Sequence, residues 1–139
     1  IFELKGDTIT FKNDQKICTR IDHGKSSDLA GAWLISGRIV DGKMNRREHG
    51  PRKTMKILSK NRFQWIAYNT DTGKFFGTGG GTYTTSNGEY SENIKFFSRD
   101  DAKVGTILKF NYSLVDSKWH HSGLSSKGDP IHEIWSVRE

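Results

Sequence analysis

The 139-residue sequence contains one cysteine, two prolines and no long apolar run. A membrane-spanning helix needs about 18 or more consecutive apolar residues, so that architecture is excluded. Cys18 alone permits no intramolecular disulfide, which removes the disulfide-stapled mini-domains. Ala- and Leu-rich stretches are missing, and no window carries an i, i+3, i+4 apolar stripe of helix length. Hydrophobic residues make up only 33% of the chain, yet 12% aromatics and 15 glycines set it apart from disordered sequences, which are poor in aromatics. The length suits a single core, so a second full catalytic domain does not fit.

Charge is present in excess of one sign and is unevenly spread. The net charge is +6, and the segment Arg38 to Lys56 holds seven basic residues against Asp41 and Glu48, which places a surplus of five charges there. Such a segment suits an anionic ligand, an anionic surface or nucleic acid. The chain starts at Ile1, with neither Met nor a signal-type h-region, and is expected to be a processed piece of a longer product with a possible upstream domain.

Strand signals recur every 10 to 15 residues between turn residues, predicting an all-β meander. The expected strands are Ala32 to Arg38, Thr54 to Leu58, Arg62 to Asn69, Phe75 to Thr85, Glu89 to Phe97, Thr106 to Val115, Lys118 to Ser125 and Ile131 to Arg138. Alternation is clearest in Leu108, Phe110, Tyr112, Leu114 and in Tyr90, Glu92, Ile94, Phe96. Connections two, four and six are hairpin-short, whereas connections one, three, five and seven are longer; the first of these, Ile39 to Lys53, holds no strand pattern. This parity predicts an eight-stranded antiparallel up-and-down barrel with a tight base and a loop-rich mouth, closure removing the unpaired edges. Residues 1–25 stand outside the pattern as an N-terminal extension, either an extra hairpin or the tail of an upstream module, and the barrel occupies residues 26–139. A helical turn capped within Ser26-Ser27-Asp28-Leu29 would precede the first barrel strand.

Gly31-Ala32-Trp33 at the start of the first strand and Arg138 at the end of the last resemble the base signature of the calycin superfamily, which includes lipocalins and fatty-acid-binding-like barrels. The resemblance implies that Trp33 plugs the closed end and that Arg138 packs across it, a contact of about 0.5 to 2 kcal/mol if guanidinium covers indole. Thr54-Met55-Lys56-Ile57-Leu58, Arg62-Phe63-Gln64-Trp65, Gly77 to Tyr83 and Trp119-His120-His121-Ser122-Gly123 are similar to uncharacterised bacterial lipocalin-like proteins. That likeness covers Asp28 to Glu139 and implies a calycin barrel and export, secreted or periplasmic. It differs from true lipocalins in lacking a helix after the last strand and paired cysteines.

The chemistry expected is binding rather than catalysis. Trp65, Tyr83, Tyr90, Glu92, Phe110, Tyr112, Trp119 and His121 are the candidates to line a barrel cavity for a small, partly apolar or amphiphilic ligand. Arg46, Arg47, Arg52 and Lys53 in the mouth loop would attract an anionic one. Glu92, a carboxylate on an apolar strand face, must find a partner or shift its pKa. Paired with His121 it would give an acid–base enzyme, one alternative; a filled structural or interaction barrel is the other. Gly77 to Gly81 lacks both the full phosphate-loop spacing and a following helix, so a glycine-bent strand is the better reading. His120 and His121 alternate across the strand and cannot share one metal with His132 and Glu133 without a bulge; no metal, cofactor or nucleic-acid partner is expected.

Overall fold

In the computed structural model, which describes residues 1–23 and 27–138, the chain forms two antiparallel sheets. The first is a three-stranded meander of β1 (Phe2–Lys5), β2 (Thr8–Phe11) and β3 (Lys16–Thr19). Its residues are largely exposed, Phe2, Leu4 and Ile17 among them, so it carries no core of its own. Asp22 ties its end to the barrel by accepting from the Lys60 amide at 2.7 Å and from the Ser59 hydroxyl.

The second sheet runs through β4 (Gly31–Val40), β5 (Lys43–Arg46), β6 (Arg52–Leu58), β7 (Arg62–Asn69), β8 (Phe75–Ser86), β9 (Glu89–Phe97), β10 (Ile107–Val115), β11 (Lys118–Leu124) and β12 (Pro130–Val137). It closes because β12 pairs back onto β4, leaving β4 and β6 to β12 as an eight-stranded antiparallel barrel. The tight turns gather at one end. Asn87-Gly88 and Asp116-Ser117 both take positive φ, as a two-residue hairpin turn with the twist of its strands requires. The long connections lie at the opposite end, as loop parity predicts, and one of them holds a short 3₁₀ turn at Asp101–Lys103. The expected boundary at residues 25 and 26, and the Ser26 cap, lie outside the described residues; beside them, the Leu29 amide is held by the Ser27 hydroxyl at 2.9 Å.

Two expectations are corrected. The Ile39 to Lys53 connection is not free of strand: β4 continues to Val40, turns at Asp41-Gly42 (φ 50° and 72°) and returns as β5. Arg138 does not lie over Trp33. Trp33 pairs with Lys56 on the inner face, whereas the Arg138 guanidinium touches Met55 Sδ at 3.6 Å, and Met55 pairs with Leu34 on the outer face. Gly31, Trp33 and Arg138 do meet at the base, where the indole donates to the Leu29 carbonyl at 2.8 Å and the Arg138 amide to that of Ala32.

Gly77 to Gly81 lies within β8 and is a bent strand. A side chain at Gly79 would come within 2.6 Å of Trp65 Nε1, and one at Gly81 would overlap the Asn93 carbonyl. Glycine here lets large rings lie flat against the wall, and the wall bends at a bulge between Gly80 and Gly81.

Candidate functional site

The inward face places all eight expected lining residues. Tyr83, Tyr90, Glu92, Phe110, Trp119 and His121 are buried, and Trp65 and Tyr112 are half-buried against the same cluster. They pack against one another. Tyr90 is the hub, with Trp119, Tyr83 and His121 ring centroids at 5.2, 5.5 and 5.7 Å. Higher up, Trp65 meets Phe97 edge-on at 5.5 Å, with the Arg99 guanidinium 5.6 Å from the indole.

Glu92 does have a partner, and it is not His121. Lys56 Nζ donates to Glu92 Oε1 at 2.7 Å and the Tyr90 hydroxyl to the same oxygen at 2.8 Å. Both charged side chains are 6% exposed. The ammonium also lies 5.2 to 5.4 Å from the Trp119, Trp135 and Tyr90 rings, whose negative faces stabilise it where water does not reach. Burial, reinforced by the Glu92 charge, raises the Tyr90 hydroxyl well above the ordinary tyrosine range, so it remains a donor.

His121 faces Glu133 instead, with Nδ1 3.4 Å from Oε2, and Glu133 in turn lies 3.4 Å from the Arg38 guanidinium at the mouth. Burial, then the positive Lys56, lowers the His121 pKa and favours a neutral ring. Burial pushes Glu133 upward, but His121, Lys56 and Arg38 outweigh it and hold the carboxyl low. The pairing of Glu92 with His121 is therefore replaced by two separate arrangements, the Lys56–Glu92 ion pair and Glu133 between His121 and Arg38. Lys56 was hidden in sequence by its place in the basic segment, although its inward parity with Leu58 was a usable signal. His120 faces outward, 3.4 Å from His132, as strand alternation requires.

A cavity lies elsewhere, on the flank of the mouth. β4 pairs with β6 only from Gly31 to Leu34; above that it pairs with β5, so the wall parts between β5 and β6. The parting holds a cavity of about 660 Å³. Leu34, Ile35, Met44, Ile134 and Val137 supply apolar lining, and Arg46, Arg47, Arg52 and Lys53 line it with positive charge. A second cavity of about 420 Å³ shares Ile35, Arg46, Arg47, Arg52 and Thr54. None of the eight inward candidates lines either one, whereas all four expected mouth cations line the larger.

None of these four cations forms an ion pair with a carboxylate among the described residues. Arg47 Nη2 donates to the Arg52 carbonyl at 3.3 Å, and the Arg52 guanidinium sits 4.3 Å from the Phe76 ring centroid. Partial burial, then repulsion from Arg52 and Arg38, lowers the Arg47 pKa from its ordinary value. Positive charge is thus in excess here, set against Glu48, which also lines the cavity, and Glu133, whose charge partly offsets that of Arg47.

Comparison with known proteins agrees with the barrel. Among solved structures the chain is similar to a lipocalin-like protein from Bacteroides uniformis, at 19% identity and a TM-score of 0.54, over 81% of this chain and 100% of that one. At that identity the likeness speaks to the fold, which is a lipocalin-like barrel. No curated protein sequence matches the chain. No helix among the described residues is long and apolar enough to cross a membrane. With residues 28–138 matched from the base turn through the closing strand, the chain belongs to the family described as a domain of unknown function, DUF4488.

Proposed function

We propose that the protein binds a small, partly apolar anion in the flank cavity between β5 and β6. One observation carries this reading: a cavity of about 660 Å³ joins an apolar floor to four cations that form no ion pair among the described residues, against a single lining carboxylate, Glu48. Pockets of about 300 to 1,000 Å³ with apolar lining and a few polar groups are the usual small-ligand sites. The barrel interior supports binding less well, because its aromatic rings and the Lys56–Glu92 pair pack against each other.

Titration with anilinonaphthalene sulfonate, an apolar anionic fluorophore, tests the reading. The probe should bind, and the double variant Arg47→Ala/Arg52→Ala should weaken it by about tenfold or more, equivalent to roughly 1.4 kcal/mol. Trp65→Ala should leave that affinity unchanged. Loss of binding on Trp65→Ala or Tyr112→Ala, with the arginine variant indifferent, would instead move the site into the barrel.

A further inference from the structure

We infer that the anion taken by the flank cavity is a phosphate-type dianion, a phosphomonoester carried on a short apolar group. This rests on the reading of that cavity as an anion site. Three arginines, Arg46, Arg47 and Arg52, line both cavities, and Arg47 and Arg52 lie close enough for their charges to repel. Each guanidinium is a planar fork of N–H donors that matches oxygens in pairs. A carboxylate offers two oxygens and one negative charge, enough to occupy one fork and leave the charge of its neighbour unmet. A phosphomonoester offers three terminal oxygens and close to two negative charges at neutral pH.

The surroundings fit the same chemistry. Arg47 and Arg52 are held by a carbonyl and an aromatic ring, contacts that position a guanidinium without spending its charge. Arg38, at the edge of the smaller cavity, is the exception, since it already has Glu133 at 3.4 Å. Leu34, Ile134 and Val137 offer the larger cavity an apolar floor for the esterified group.

Calorimetric titration of the full chain with decyl phosphate, decanoate and inorganic phosphate tests the inference. Decyl phosphate should bind at least about tenfold tighter than decanoate. That ratio should shrink in Arg47→Lys, which keeps the charge and loses the fork. Inorganic phosphate distinguishes the sources: displacement of bound decyl phosphate at comparable concentration supports a soluble phosphoester, and failure to displace it supports a lipid-like headgroup. Equal affinity for decanoate and decyl phosphate, with both weakened by Arg47→Ala/Arg52→Ala, would overturn the dianion and leave the anion site standing. If neither amphiphile binds, both readings fall.

Discussion

Lys56 and Glu92 share a hydrogen bond of 2.7 Å in the aromatic core, and the balance between them governs how the barrel tolerates change. Truncating one member strands a charge where water cannot solvate it, at a cost of about 3 to 5 kcal/mol. Lys56→Met should lower the unfolding free energy by that margin, read as a lower urea midpoint, and adding Glu92→Leu should restore much of it. A single variant no worse than the double would show that the stranded charge is solvated. His121 gives a second, pH-dependent handle. Its proton affinity is lower folded than unfolded, so its contribution is complete above the ordinary histidine value of 6.5 and is lost as pH falls below it. Glu133, held below the ordinary value of 4.5, adds a separate loss in stronger acid. Urea melts between about pH 7.5 and 5 should show the first loss in the native protein and a smaller one in His121→Gln, where His120, also lowered by burial, still contributes. At this scale the sequence shows that Glu92 needs a partner, because a carboxylate stands out on an apolar face; it does not show which one, because pairing across the barrel depends on closure.

Strands were legible where alternation and turn chemistry agree. Arg62–Asn69 and Glu89–Phe97 have the predicted limits. β5 was missed because Lys43–Arg46 is fully exposed and carries no apolar face to alternate. The signal that would have found it is Asp41-Gly42, a two-residue hairpin turn in the middle of the supposed loop. In the last strand Ile131, Ile134 and Trp135 are all apolar, so alternation alone does not set its register. Pairing with β11 resolves it: Trp135 lies opposite the inward Trp119, and Ile134, opposite the outward His120, stays buried as part of the flank cavity, while the irregularity at this point falls on β4, where Ser36 is the extra residue.

For the whole molecule, loop parity sufficed to predict a closed barrel with opposite ends of different character. The candidate site was half legible. Its four cations were visible as a basic cluster, but its apolar floor comes from Leu34, Ile134 and Val137, which meet only because β12 closes on β4. The parting of β4 from β6 has a dynamic consequence as well. Over Arg52 to Thr54, β6 keeps only β7 as a strand partner, and β5 has only β4, so the closed cylinder contains a short seam with two open edges. Local opening begins where few backbone bonds must break together. Amide hydrogen exchange should therefore be fastest, within the barrel wall, along β5 and the seam edge of Arg52 to Thr54, and slowest in β9, which is paired on both sides. Bound decyl phosphate should slow exchange at the seam and leave β9 unchanged, making the seam a hinge through which a ligand would enter from the side of the barrel.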